Sequence, residues 1–280
     1  MDMKNAPLRI IRPVLLLACL FLFSSCTLFD SISTLFVTEQ DEVKLGTEFD
    51  QQLHDSTRTF PVYNPGNSAA KLAFQNYVTH LADSVLAGIP AGKKPGYPFK
   101  FTLIDQDIDN AFAVPGGFVY IYTGIIKHMQ NESELAGVLG HEIAHVTQHH
   151  YRDAMVKQQG LSLLVQALVG DDAGKITELV ASSFVQLTSL QISQGNESDA
   201  DAYGTRYEAA IGRNPMGIAN FFSRMQDQGI AILSTHPQPS SRVADVTAEV
   251  NGDATLQALA ADSLNTNYKS RFEQYVGPIR

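Results

Sequence analysis

The 280-residue chain has no tryptophan, only two cysteines, and fewer basic than acidic residues, 20 against 29. Because its basic residues form no run, we expect no nucleic acid among its partners. The longest purely apolar run, Val14–Phe23, has ten residues and is too short to span a bilayer. With 44% hydrophobic residues, the chain is expected to form one sizeable domain with a core of its own.

The N-terminus has the composition of a bacterial export signal. Lys4, Arg9 and Arg12 precede the apolar run, and the sequence Phe-Ser-Ser-Cys ends it at residues 23–26. Small residues followed by cysteine resemble a bacterial lipobox, which predicts a signal peptide over residues 1–25 and lipidation at Cys26. The alternative is an ordinary secretory signal that is cleaved nearby.

Lipidation would also determine how the remaining chain is held. If Cys26 is the first mature residue, Cys19 leaves with the signal and no disulfide can form. Several acyl chains on one residue give stable membrane anchoring. Thr27 follows the cysteine, and by resemblance to enterobacterial lipoprotein sorting this favours the outer membrane. We predict a lipid-anchored envelope protein, with residues 26–40 as a tether and residues 41–280 as a periplasmic domain.

Residues 140–145 read Gly-His-Glu-Ile-Ala-His, an H-E-x-x-H pattern. On a helix, His141 and His145 lie on one face, so both imidazoles can reach one ion. Catalytic zinc takes three protein ligands and an open position for water, from which Glu142 could accept a proton. Asn131 as cap and an apolar face of 3.6-residue period predict the helix. The alternative is a solvated helix that carries two histidines.

The pattern leaves the third metal ligand open. His149 lies about 12 Å from His141 along a helix axis and cannot share one small ion with it. The metzincin extension of the pattern also fails, because Gln148 and Tyr151 stand where it requires glycine and histidine. The third ligand must therefore come from another part of the chain.

Two later stretches carry residues suited to such a site. Glu197 and Asp201 share a helix face, and a second carboxylate one turn from a carboxylate ligand can hold a ligand histidine by its other ring nitrogen. His236 opens a His-Pro turn, and Arg242 falls at the start of a following helix. The alternatives are a solvated acidic helix start and a turn without a role.

A strand is predicted just ahead of the H-E-x-x-H helix. Residues 118–122 are all β-branched or aromatic and follow a Val-Pro-Gly-Gly turn. A strand beside a cleft can accept an extended peptide by main-chain pairing, so Gly117, Phe118, Val119 and Tyr120 are candidate substrate-binding residues. The alternative is an ordinary sheet strand.

The rest of the chain is mainly helical in pattern. Helices are predicted over residues 41–54, 69–86, about 153–169 and about 174–193, and a further strand over residues 99–104. The remaining histidines are assigned surface or core roles: His54, His80, His128, His149 and His150.

Four segments resemble, in order, peptidase family M48, the gluzincins of the HtpX and CaaX-prenyl-protease type. They are NAFAVPGG, ELAGVLGHEIAHVTQHH, ESDADAYG and THPQPSSR, within roughly residues 40–250. The resemblance implies an α+β, mainly helical, zincin-like domain with a small β-sheet whose edge strand lines the cleft. It implies one Zn²⁺ held by His141, His145 and Glu197, Glu142 as catalytic base, and Asp201 as partner of a ligand histidine.

The sequence lacks the multiple membrane spans of those two branches and looks like the lipoprotein-anchored branch, which is associated with envelope quality control. We therefore expect a zinc endopeptidase that degrades unfolded or misassembled envelope proteins. The alternative is a chaperone-like or binding lipoprotein with a latent zinc site. His236 could stabilise an oxyanion, fill the open zinc position at rest, or only form the turn. Arg242 is suited to holding a loop carboxylate or backbone.

Overall fold

A computed structural model describes residues 37–56, 58–159, 192–225, 232–236 and 239–280. Cys26, the predicted signal peptide and residues 160–191 of the predicted helical segments lie outside the described residues. No helix in the described part is both long enough and apolar enough to cross a membrane. The elements in chain order are α1 (Glu39–Asp55), α2 (Ala69–Ala87), β1 (Lys100–Ile104), β2 (Ala111–Val114), β3 (Phe118–Tyr122), α3 (Thr123–His128), α4 (Glu132–Thr147), α5 (His150–Gln159), α6 (Gln194–Ala210), α7 (Gly217–Met225), α8 (Ile232–Thr235), α9 (Pro239–Asn251), α10 (Ala254–Ala261), α11 (Ser263–Thr266), α12 (Lys269–Val276) and a 3-10 turn (Gly277–Ile279).

The first two helices begin where capping side chains stand. Thr38 accepts a hydrogen bond from the backbone N–H of Asp41, and the Asp41 carboxylate accepts one from the backbone N–H of Thr38. Ser68 caps α2 by accepting from the backbone N–H of Lys71. The helices predicted over residues 41–54 and 69–86 are confirmed, with ends that shift by no more than two residues.

Three strands form one mixed sheet in the order β1-β3-β2. β3 pairs in parallel with β1 and antiparallel with β2, so it is the central strand. The carbonyl of Gly117, just before β3, already accepts from the backbone N–H of Lys100. The prediction that Gly117, Phe118, Val119 and Tyr120 pair with a substrate strand is therefore wrong, because both edges of β3 are occupied by neighbouring strands.

The sheet edge that lies beside α4 belongs to β2 instead. β2 packs against α4, and its other side is paired with β3. The backbone N–H of Ala113 points away from β3 and donates to Tyr151 Oη at 3.3 Å. The edge beside the histidine helix is thus formed by residues 111–114.

Helix α4 lies in the middle of the molecule, and every residue from Glu132 to Thr147 is buried. One apolar cluster fills the space between α2, α4, α6, α7 and the C-terminal helices. A second cluster lies between α1, the sheet and α5. A helix covered on all sides must bury its polar residues too, so each of them needs a specific partner or a function.

Two glycines set the distance between α4 and α6. A Cβ atom built on Gly140 would lie 2.8 Å from the carbonyl oxygen of Gly204, and one built on Gly204 would lie 2.7 Å from the backbone nitrogen of His141. Both obstacles are backbone atoms, which cannot yield without separating the helices. This close approach brings the start of α6, with Glu197 and Asp201, against the histidine-bearing face of α4.

Candidate active site

His141 and His145 project from one face of α4, one turn apart. Both are buried, and their Nε2 atoms are 2.9 Å apart. The ring planes are perpendicular, with centroids 4.5 Å apart. The helix period alone therefore directs both imidazole nitrogens at one point, as the spacing predicts.

Glu197 and His236 complete a group of four donors. Glu197, from α6, has carboxylate oxygens 3.5 Å from the Nε2 atoms of both His141 and His145. His236 follows α8, and its Nδ1 lies 3.1 Å from the Glu197 carboxylate and 3.2 Å from His141 Nε2. One donor atom from each residue lies within 4.8 Å of every other, and all four residues are buried.

The separations within this group fit a metal ion. Ligand atoms at 2.0–2.1 Å from a tetrahedral ion lie roughly 3.3 Å apart. The contacts among the four residues range from 2.9 to 3.5 Å. Among three buried imidazoles and one carboxylate, hydrogen-bond acceptors outnumber donors, so the four groups cannot all be satisfied by one another. A bound cation would pair with all four. The residues present therefore fit a metal site.

Glu142 lies directly beside this group. It is fully buried, and neither carboxylate oxygen has a hydrogen-bond partner among the described residues. One polar neighbour is His236, whose Nε2 lies 3.4 Å from Glu142 Oε1 without forming a hydrogen bond. A buried carboxylate without a partner is costly for stability, so its position beside a candidate metal site indicates a chemical role.

Asp201 and Arg242 hold His141 and Glu197 in place. Asp201 Oδ1 lies 2.9 Å from His141 Nδ1, while Arg242 donates to both Asp201 oxygens at 2.7 and 2.6 Å. A further Arg242 nitrogen lies 3.2 Å from Glu197, and the guanidinium stacks on Phe222. A carboxylate on Nδ1 fixes the ring tautomer that presents Nε2 to an ion.

Charge keeps both carboxylates ionised despite their burial. Burial would raise the pKa of Asp201, but the charge and hydrogen bonds of Arg242 hold this pKa below its usual range. Burial would likewise raise the pKa of Glu197, which the charges of His236 and Arg242 hold well below its usual range. Arg242 therefore stabilises the ionised carboxylates by its charge, in addition to holding the donor residues in position.

His150 also contacts a candidate ligand, which the sequence did not reveal. Its Nδ1 lies 2.9 Å from His145 Nδ1, and the residue is buried. Burial lowers the pKa of His150 to about 2, so its ring is neutral and its Nδ1 can accept a hydrogen bond from the Nδ1–H of His145. His149, with φ of +56°, turns the chain so that His150 folds back beneath α4.

Replacing His150 with alanine is expected to weaken metal binding about 10- to 100-fold, because His145 loses the partner that fixes its tautomer. The measurement is metal affinity by competition with a chelating dye. His149→Asn is the matched control, since His149 pairs with Glu42 and asparagine tolerates a positive φ. Equal affinities of wild type and His150→Ala would remove this role.

The structure thus brings seven predicted site residues together at one place. These are His141, Glu142, His145, Glu197, Asp201, His236 and Arg242. His149 lies elsewhere, paired with Glu42 at 2.8 Å, in agreement with its exclusion as a ligand.

Comparison with known proteins gives matches over the part of the chain that carries these residues. A family model described as Peptidase family M48 matches residues 73–250. The chain is 33% identical over 190 residues to a beta-barrel assembly-enhancing protease of Yersinia pestis, which covers 62% of this chain and 38% of that protein. It is 34% identical over 169 residues to the protein of the same name from Escherichia coli (strain K12), with coverage of 55% and 35%.

The chain spans little more than a third of the length of these curated relatives. The family match, in contrast, covers more than half of the chain and includes all four donors, Glu142 and the pair Asp201–Arg242. The chain belongs to peptidase family M48, and the buried group formed by α4, α6 and His236 is its candidate metal centre.

Proposed function

We propose that this chain is a zinc-dependent endopeptidase of the bacterial cell envelope whose substrates are misfolded or misassembled envelope proteins. The observation that carries this proposal is Glu142, a buried carboxylate without a hydrogen-bond partner among the described residues, placed 3.4 Å from His236 in a group of four residues that could hold a metal ion. The relatives carry the name beta-barrel assembly-enhancing protease, which supports substrates among proteins of the outer membrane.

Zinc is the proposed metal because imidazole nitrogens and one carboxylate in a compact, four-donor arrangement suit it. His141, His145 and Glu197 would hold the ion during catalysis. When bound, zinc lowers the pKa of a coordinated water towards 7 and polarises the substrate carbonyl. Glu142 would accept the proton of that water and pass it to the leaving amine. Asp201 and His150 would keep the two ligand rings in their binding tautomers.

We further propose that His236 is a fourth ligand that keeps the resting enzyme inactive. Its Nδ1 faces His141 and Glu197, and its Nε2 faces Glu142, so the ring would occupy the open position of a bound ion, and it lies in front of the base. Stabilising an oxyanion would require the ring to turn a nitrogen towards substrate instead. The backbone N–H of Ile232 and the hydroxyl of Thr235 connect α8 by hydrogen bonds to the residues just before β2. A movement of this short helix would expose both the metal and Glu142.

Metal removal tests the proposed chemistry. The purified mature chain is expected to cleave an unfolded protein such as casein, to lose this activity after chelation, and to regain it with about one equivalent of zinc. Cleavage is followed by gel and peptide mass spectrometry, and zinc by atomic absorption. A chaperone-like protein with a latent site would bind casein without cleaving it, and that result would overturn the proposal.

The proposed location is tested through Cys26. Wild-type protein is expected to incorporate labelled palmitate and to fractionate with the outer membrane, whereas Cys26→Ser should lose the label and release the domain into the soluble periplasm. Cys19→Ser is the matched control, because residue 19 falls within the predicted signal. Unlabelled wild-type protein would point to an ordinary secretory signal.

A further inference from the structure

A cavity lies at the opposite end of α4 from the group of four candidate metal ligands. It has a volume of about 400 Å³ and is lined by residues of α2, α4 and α12 together with Arg213, which follows α6. Glu132, the first residue of α4, forms part of its wall and precedes His141 by nine residues, about 13 Å along the helix. The cavity is therefore separate from the proposed catalytic centre.

Two arginines in this wall are held by one buried carboxylate. Glu132 is completely buried and accepts hydrogen bonds from Arg213, at 2.6 Å, and from Arg271. Tyr77 Oη donates to the same carboxylate at 3.0 Å. All acceptor positions of Glu132 are thereby used, and the cluster of two guanidinium groups and one carboxylate keeps one unbalanced positive charge.

Tyr268 fixes the planes of both guanidinium groups. The Cζ atoms of Arg213 and Arg271 lie 4.0 and 4.5 Å from the centre of its ring. Tyr268 adopts a left-handed backbone conformation, with φ of +50° and ψ of 42°, that a bulky residue rarely adopts. Strain of this kind persists where the surroundings require it, and here it places an aromatic ring against both arginines.

Some N–H donors of the two guanidinium groups remain unpaired within the described part of the chain. Within the described part of the chain, Arg213 Nη2 and Arg271 Nη1 have no hydrogen-bond partner, although Arg213 is more than nine-tenths buried. The side chains of Asn76 and His80, which also line the cavity, have none either. Both arginines are thus prepared to receive an anion without reorganisation.

We propose that this cavity binds the C-terminal α-carboxylate of a polypeptide. One unbalanced positive charge matches a monoanion, whereas a phosphate dianion would leave negative charge beside the buried Glu132. The planar guanidinium edges of Arg213 and Arg271 suit a planar carboxylate. The stacked rings of Tyr77 and Tyr275, 4.7 Å apart, provide an apolar wall for the last side chain. A volume of about 400 Å³ exceeds that of a simple ion and accommodates a residue or two.

The experiment uses a labelled hexapeptide that ends in leucine, as the free acid and as the carboxamide, with the full mature chain carrying Glu142→Gln to prevent cleavage. Fluorescence anisotropy is expected to show the acid binding about 10- to 100-fold more tightly than the amide, because the amide lacks the charge. This preference should weaken as salt is raised. Equal binding of acid and amide would overturn the proposal.

A variant test assigns the preference to this cavity. Arg271→Gln, at a side chain that is 43% exposed, should lower the affinity for the acid at least about tenfold and abolish the difference from the amide. Arg206→Gln makes the same change at a 50% exposed arginine that pairs with Glu249. This variant should leave unchanged both the affinity for the acid and its difference from the affinity for the amide. Inorganic phosphate should compete with the labelled peptide acid no better than acetate does. Stronger competition by phosphate would contradict the assignment of the cavity to a carboxylate. Because binding is measured without catalysis, its outcome is independent of the proposed proteolysis.

Discussion

Replacing Glu142 with glutamine is expected to reduce peptide hydrolysis about 100- to 10,000-fold, because an amide cannot accept the proton of the attacking water. The replacement has nearly the same shape, and within the described part of the chain the oxygens of Glu142 make no hydrogen bond that it would break. Metal content should stay at the wild-type value, since Glu142 is not among the four donors. The loss should therefore appear in kcat, measured with a quenched fluorescent peptide.

A second buried glutamate provides the control for this variant. Glu208 is also fully buried, and its carboxylate likewise lacks a hydrogen-bond partner in the described part of the chain. Burial raises its pKa well above the usual range, so glutamine also resembles its protonated form. Glu208→Gln should retain wild-type turnover. Turnover close to wild type in Glu142→Gln, with zinc bound, would remove Glu142 as the base.

Replacing His236 with alanine is expected to raise basal proteolysis about tenfold or more, because the resting ring no longer stands at the open metal position. The expected rise in rate reflects how few wild-type molecules would have the resting ligand displaced at any time. The observed rate of proteolysis scales with that fraction. The measurement is the initial rate on the same peptide, at equal zinc content. His54→Ala, at an exposed histidine of α1, should not change the rate.

The sign of the effect at His236 separates its possible roles. An oxyanion donor is worth about 100- to 1,000-fold in kcat, so its removal would lower turnover rather than raise it. An unchanged rate would leave His236 with only the structural role of closing the short helix α8, where its backbone N–H donates to Ile232. Either result would contradict its assignment as a resting ligand.

The sequence predicts those parts of the site that depend on local geometry. His141 and His145 converge because the helix period is fixed, and Asn131 marks the start of that helix by accepting from the backbone N–H of Glu134. The spacing of Glu197 and Asp201 predicts a shared face on α6. Their placement against α4 depends on the close approach of the two helices at Gly140 and Gly204, which residue spacing does not reveal. Only the family resemblance implies that placement.

Features that depend on contacts distant in sequence were not predicted. The pattern of residues 118–122 identifies a strand but does not say that β1 and β2 flank it, so the peptide-binding assignment to Gly117–Tyr120 was wrong. His150 was assigned no particular role because nothing local shows that the turn at His149 returns it to His145. Arg213 and Arg271 meet at Glu132 only after the C-terminal helices pack.

A crystal structure of the purified mature chain, with anomalous diffraction recorded on both sides of the zinc absorption edge, tests the central claim most directly. We expect one zinc peak per chain, within about 2.0–2.2 Å of nitrogen atoms of His141, His145 and, in the resting enzyme, His236, and of a Glu197 oxygen. The Glu142 carboxylate should lie beside the ion without ligating it. A protein that cleaves casein without zinc at this position, or whose zinc is bound by other residues, would contradict the account.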